Sequence, residues 1–145
     1  MIIRNATILD IPDIVKIAER NFITPWTPHA VLESIHEKSV YVVVNSENAI
    51  IGYVIIYQGF DSIEIMNIAV EEKHKRRGVG KALLSFMIDN YSENNEIWLE
   101  VRDNNTPAIA LYKGLGFENI GIRKGFYRDE TPPRDALTMK YQKKD

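Results

Sequence analysis

The sequence predicts a mixed α/β fold, a mostly antiparallel sheet of about six or seven strands with helices on both faces. Three observations carry this. Short apolar or alternating runs bounded by turn residues recur along the chain, and each reads as a strand. Between them lie stretches with apolar residues at helical spacing. Near the centre a strand, a helix and a strand follow directly, which calls for a crossover and a locally parallel pair.

Met1 to Asn5 reads as a short first strand. Asp10, with Asp13 three residues on, caps a helix whose apolar face is Ile11, Ile14, Val15 and Ala18. Thr27-Pro28, a cap followed by a first-turn proline, opens a second helix that turns Val31, Leu32 and Ile35 inward. Val40 to Val44 and Ile50 to Tyr57 are strands joined by the polar turn Asn45 to Asn48. The turn Gly59-Phe60-Asp61 leads into a strand from Ser62 to Val70, completing an antiparallel meander. Val79, Ala82, Leu83, Phe86, Met87 and Asn90 trace a third helix with one apolar stripe. Ile97 to Val101 is a strand, and Thr106-Pro107 caps a short helix that Gly116 ends. Two last strands, about Phe117 to Tyr127 and Ala136 to Tyr141, flank a loop containing Pro132 and Pro133.

Composition narrows the function. A chain of 145 residues with 45% apolar and 26% charged residues can bury a core unaided, and residues 1–145 read as one domain. The longest nearly apolar run, Ala49 to Tyr57, is far too short to span a membrane, and the N-terminus enters a strand rather than a signal peptide. Cytoplasmic residence is the expectation. Zero cysteines exclude disulfides, a thiol nucleophile and Cys-ligated zinc. His29, His36 and His74 lack metal-ligand spacing, so no metal is expected, and G-x-S-x-G is absent.

Charge is concentrated in one place. Lys73, Lys75, Arg76, Arg77 and Lys81 are five of the eighteen Lys and Arg in a chain of net charge -2. They surround Gly78-Val79-Gly80, between an apolar strand and an amphipathic helix. That arrangement aims backbone N–H groups and a positive helix end at an anion, although two glycines also make an ordinary turn. The pattern is neither a P-loop nor a dinucleotide fingerprint. Without an aromatic stacking platform, and with an acidic pI, nucleic acid is not expected as a direct partner. Downstream, Trp98 and Glu100 share one face of a strand whose other face is Ile97, Leu99 and Val101. Glu100 reads equally as a carboxylate facing water or as a base whose burial raises its basicity. Tyr112 shares a helical face with Ala108, Leu111 and Leu115, which fits a core tyrosine, and Asn105 fits a turn.

Taken together, L-E-V-R-D-N-N-T-P-A-I-A-L-Y-K-G-L-G-F and the upstream N-I-A-V-E-E-K-H-K-R-R-G-V-G-K-A-L-L closely resemble the GNAT acyl-CoA N-acyltransferases. Within them the chain is most similar to the RimI type, the ribosomal-protein-alanine N-acetyltransferases. Thr24-Pro25-Trp26-Thr27 and Arg123-Lys124-Gly125-Phe126-Tyr127 resemble further segments of that type. The resemblance implies a GNAT-like sheet with a central β-α-β step that binds acetyl-CoA. Ile68, Ala69 and Val70 would lend backbone groups to the pantetheine arm. Arg76, Arg77, Gly78, Val79, Gly80 and Lys81 would hold the pyrophosphate, and Asn105 would touch the cofactor arm. Glu100 would be the general base and Tyr112 the general acid. The chain departs from the family's usual Q/R-x-x-G-x-G/A by placing Lys75 first, which keeps a positive charge but loses the guanidinium fork.

The implied reaction is direct attack of an amine on the thioester in a ternary complex. An α-amino group with a reference pKa of about 7.7–8.0 is within reach of a modest base, and a tyrosine near 10 can protonate the departing thiolate. Glu64, six residues before Val70, is the rival base and otherwise a substrate contact. Trp26 and Tyr127 would wall the acceptor groove or simply pack the core. The expected acceptor is a protein or peptide N-terminus, a small-subunit ribosomal protein with N-terminal alanine first among them, and the enzyme would be a monomer or weak dimer. A small-molecule amine N-acetyltransferase and a non-catalytic acyl-CoA-binding module are the alternatives.

Overall fold

The computed structural model describes residues 1–144, and strands and helices follow one another in the expected order. They are β1 (Ile2–Asn5), α1 (Ile11–Asn21), α2 (Pro28–His36), β2 (Val40–Val44), β3 (Ile50–Gln58), β4 (Ser62–Val70), α3 (Val79–Tyr91), β5 (Glu96–Arg102), α4 (Thr106–Gly114), β6 (Glu118–Tyr127) and β7 (Arg134–Tyr141). The sheet runs β1-β2-β3-β4-β5-β7-β6. β4 and β5 pair in parallel, whereas β1–β2, β2–β3, β5–β7 and β6–β7 are antiparallel. Among the described residues no helix is long and apolar enough to cross a membrane. Contacts gather into two units, one of residues 1–57 and 66–86, the other of residues 58–65 and 87 onward.

In the first unit, helices cover both faces of the strands. Val40, Val42, Val44, Tyr53 and Ile55 turn toward Ile14, Ile17 and Ala18 of α1 and Val31 of α2, forming one buried cluster. Residues of the other parity, Tyr41 and Gly52 among them, face α3. Tyr41 stacks on Phe86 at 5.0 Å, and a Cβ built on Gly52 would lie 3.0 Å from Val79 Cγ1 and 3.3 Å from the Ala69 carbonyl oxygen. α3 therefore begins hard against the sheet, where only glycine leaves room.

Two helix starts differ from expectation. Asp10 stands at the N-cap position of α1, but its side chain makes no capping hydrogen bond to that helix. Its carboxylate turns back to accept from the Thr7 N–H at 2.8 Å and from Arg4 at 2.8 and 3.1 Å, closing a 3-10 turn at Ile8–Asp10. Those partners hold the Asp10 carboxyl below the usual carboxylate range, the Arg4 hydrogen bond first. The inward face of α1 also includes Ile17, fully buried where Val15 is only half-buried. At α2, Thr27 does cap, accepting from the Ala30 N–H at 3.2 Å.

In the second unit, Ile97, Leu99, Val101, Ala136 and Met139 are buried. α4 is capped by Asn105, whose Oδ1 accepts from the Ala108 N–H at 3.3 Å, so the cap lies one residue before Thr106. Its far end closes with Phe117 N–H to the Tyr112 carbonyl at 3.0 Å and Gly116 N–H to the Lys113 carbonyl at 3.0 Å. The Tyr112, Phe117 and Tyr141 rings then stack in series at 5.9 and 5.7 Å.

Gly52→Val sets β propensity against packing. Valine suits a strand, yet here its side chain meets Val79 and a backbone carbonyl. Urea unfolding should show a loss of about 1–3 kcal/mol, and a gain in stability would contradict the close approach.

Candidate active site

The basic loop lies in the first unit. β4 passes through a 3-10 turn at Glu72–His74 into four turn residues, and α3 starts at Val79. Arg76 and Gly78 both have left-handed backbones, φ +64 and +81. For arginine that conformation costs roughly 1–2 kcal/mol, so the loop carries strain just before a helix start. Alternating backbone hands of this kind turn successive N–H groups into one concavity suited to an anion. A Cβ on Gly78 would meet nothing within 4 Å, so the space beside it is open to a ligand. The first α3 hydrogen bond from this side is Ala82 N–H to the Gly78 carbonyl at 2.9 Å, leaving the N–H groups of Val79, Gly80 and Lys81 as the helix's N-terminal donors. The loop fits a pyrophosphate. Arg76, Arg77 and Lys81 are exposed around it, while Lys75 is engaged by Glu72 at 2.9 Å.

The strand ahead of that loop is anchored to α1. Ala69 points into the core, and its neighbours Ile68 and Val70 are half-buried. The Asn21 side-chain amide donates to the Val70 carbonyl at 3.2 Å and to the Ile17 carbonyl at 2.8 Å. Arg20 pairs with Glu71 at 3.0 Å, and the Tyr53 hydroxyl donates to Asn67. Trp26, six residues beyond Arg20, packs half-buried against the α1–α2 core.

The second unit holds both candidate bases together. In the β4–β5 register Glu64 pairs with Trp98, so Ser62, Glu64, Trp98 and Glu100 share a face. Across the β5–β7 ladder Thr138 stands opposite Glu100. An open cavity of about 330 Å³ is lined by these residues together with Leu99 and Arg123. Glu100 is neither freely solvated nor sealed in an apolar core. Its side chain is 16% exposed, with Oε1 accepting from Arg123 at 2.8 Å and Oε2 from Thr138 at 2.6 Å.

Tyr112 is the buried residue of α4, and burial, followed by the influence of Tyr127, pushes its hydroxyl up to about 12. It stays protonated throughout the physiological range, as a proton donor must. Tyr127 is half-buried, with the Arg102 guanidinium 4.0 Å above its ring. Arg102 also grips Asp129 at 2.9 and 2.7 Å and Glu130 at 2.6 Å, while Arg134 ties Glu130 to Asp103 at 3.3 Å each. The segment after Tyr127 is thus fastened to the end of β5. Asn105 is exposed and spends its carbonyl oxygen on the α4 cap.

The first unit thus carries a strained loop suited to an anion, and the second a partly buried carboxylate and a buried, protonated tyrosine. Residues 11–117 match the acetyltransferase (GNAT) family. The chain belongs to the GNAT family. It is an acetyl-CoA-dependent acyltransferase, and its seven-stranded mixed sheet is the GNAT fold. It is similar to the [ribosomal protein bS18]-alanine N-acetyltransferase of Escherichia coli K12, 31% identical over 132 residues, 90% of this chain and 89% of that one. The N-alpha-acetyltransferase of Saccharolobus solfataricus is 32% identical over 143 residues, covering 88% and 86%. The crystal structure of the Escherichia coli ribosomal-protein-S18-alanine N-acetyltransferase superposes with a TM-score of 0.88 at 28% identity, covering 99% of this chain and 96% of that one.

Four contacts around these candidate residues escape the sequence reading: Thr138 and Arg123 on Glu100, Arg102 on the Tyr127 segment, and Asn21 on Val70. Thr138 becomes visible only once the β5–β7 register is known. The L-E-V-R motif contains Arg102, but nothing local indicates partners 27 and 28 residues away.

The buried tyrosines give the protein a pH signature. Unfolded tyrosine ionises near 10, whereas Tyr112 holds its proton to about 12, and burial also raises Tyr53. Above about pH 10 the unfolded chain releases protons that the folded chain keeps, so stability falls as pH rises through that window. Urea midpoints measured from pH 8 to 11 should decline, and Tyr112→Phe should remove on the order of 1 kcal/mol of the decline at pH 11. An unchanged slope in Tyr112→Phe would contradict the burial-driven shift.

Proposed function

We propose that this enzyme acetylates the N-terminal α-amine of a protein, with a ribosomal protein beginning in alanine as the first candidate. The observation that carries this reading is the open cavity presenting Glu100 and Glu64 beside Trp98, a surface with room and charge for a cationic chain end. The relatives named for Nα-acetylation support it. The whole chain, residues 1–145, works as one catalytic domain, placed in the cytoplasm as a monomer or weak dimer.

Each residue's part follows from its chemistry. The backbone of Arg76, Arg77, Gly78, Val79, Gly80 and Lys81 binds the pyrophosphate of acetyl-CoA, and the exposed cations add attraction. Ile68, Ala69 and Val70 offer strand backbone to the pantetheine arm, and one of their N–H groups stabilises the oxyanion. Asn105 keeps its amide N–H groups for the same arm. Glu100 takes the proton from the acceptor's ammonium, directly or through a water, and Thr138 fixes its rotamer. Tyr112 protonates the departing thiolate. Trp26, Glu64 and Tyr127 contact the acceptor. Acetyl-CoA supplies the activated acetyl group, and no acyl-enzyme is required, in keeping with a chain that has no cysteine.

Two measurements test the roles. In single-turnover assays Glu100→Gln should lose about 10²–10⁴-fold in rate and Glu64→Gln far less; near wild-type chemistry in Glu100→Gln transfers the base to Glu64. Calorimetric titration with CoA should show Gly80→Val weakening binding about ten- to a hundredfold, as expected for a lost charged hydrogen bond. Lys75→Ala should cost no more than about fivefold, because its charge is exposed and already paired. A peptide panel decides the acceptor. Acetylation of a polyamine or aminoglycoside but of no peptide terminus supports the small-molecule reading, and tight acetyl-CoA binding with no turnover on any amine supports a non-catalytic module.

A further inference from the structure

The two groups on Glu100 differ in kind. Thr138 stands directly across the ladder on β7 and is half-buried, and its one short rotor delivers the hydroxyl to Oε2 at 2.6 Å. Arg123 arrives from β6 on a long side chain that is 57% exposed, against 16% for Glu100. Its guanidinium lies 4.6 Å over the exposed Phe126 ring and bonds Oε1 at 2.8 Å. Thr138 therefore holds the carboxylate from within the sheet, while Arg123 closes it from the open cavity that both residues line.

We infer that Arg123 occupies the ammonium subsite of the acceptor, and that the incoming α-ammonium displaces it from Glu100. The inference rests on the reading of Glu100 as the group that meets the acceptor's amine, and it adds a residue that sets acceptor affinity. The exchange replaces one cation by another on the same oxygen, so the partly buried carboxylate is never left without a counter-charge. Displacement is cheap at this exposure, because a solvent-accessible ion pair contributes only weakly and loses the entropy of a long side chain. The freed guanidinium keeps the Phe126 face to rest on. Arg123 acts as a resident competitor, and removing it exposes the subsite.

The test uses the full chain with CoA bound, titrated calorimetrically at 0.15 M salt with an Ala-initiated hexapeptide of uncharged side chains, so that no turnover intervenes. Arg123→Met should bind the peptide about two- to fivefold more tightly than wild type, the scale of an exposed ion pair. Lys124→Met removes the same charge one residue along β6, where Glu100 keeps its Arg123 contact, and should leave affinity unchanged. In a Glu100→Gln background, Arg123→Met should give no gain. Weaker or unchanged binding in Arg123→Met overturns the inference, as does an equal gain in Lys124→Met or a gain that persists without the Glu100 carboxylate. If Arg123 instead merely positioned Glu100, its loss would weaken the peptide. Turnover at the wild-type rate in Glu100→Gln would sink the general-base assignment by itself, while the binding cycle would still report on Arg123.

Discussion

The basic loop and the strand ahead of it depend on one missing methyl group. At Gly52, β3, β4 and α3 converge so closely that a Cβ would stand 3.0 Å from Val79 and 3.3 Å from the Ala69 carbonyl. Val79 is the first residue of α3, and Ala69 lies in the strand proposed to carry the pantetheine arm. The contact therefore sets how far the helix start stands from that strand, and with it the path of the loop between them. Strain at Arg76 is tolerable because both ends of this loop are fixed: one by the Gly52 approach, the other by Asn21 on Val70 and Arg20 on Glu71.

At Glu100 the balance of forces is different. A carboxylate at 16% exposure has lost much of its hydration and needs polar partners in exchange. Thr138 and Arg123 supply one each. A fully buried ion pair would be too costly to exchange, and a bare exposed carboxylate would be poorly oriented. The half-open arrangement combines a fixed rotamer on one oxygen with a replaceable cation on the other. Tyr112 occupies the opposite regime. Buried against Phe117 beneath a tightly closed helix end, it keeps its proton far above neutrality in a rigid position.

How much of this was legible in the sequence follows the range of the interactions. The strands, the four helices and the parallel step were readable because periodicity and turn chemistry are local signals. The family was readable from the motif holding the glycine-rich loop, Glu100, Asn105 and Tyr112, whose individual roles are proposals. Asp10 takes the expected N-cap position of α1 but not the expected bond, because a spacing shows that a carboxylate is available, not which N–H it will choose. It takes the Thr7 N–H, and Arg4 adds an ion pair. The same holds for Asn105, which takes the α4 cap from Thr106 because its side chain reaches the Ala108 N–H. Ile17 went unnamed on the inner face of α1, although it is nearly as buried as Ile14. Arg123, Thr138 and the Arg102 clamp need strand register, which no local pattern in this chain encodes.

The basic loop shows why charge and geometry must be weighed separately. Five cations in a chain of net charge -2 first suggest a site built from Coulomb attraction. Yet Arg76, Arg77 and Lys81 are exposed, where solvent and salt screen them, and Lys75 already answers Glu72. Backbone N–H groups at a helix start are screened less and cannot move away, since the left-handed turns at Arg76 and Gly78 hold the chain that delivers them. In the proposed reading the side chains attract the anion from a distance and the backbone holds it. Sequence position alone could not separate those tasks, because the same residues carry both.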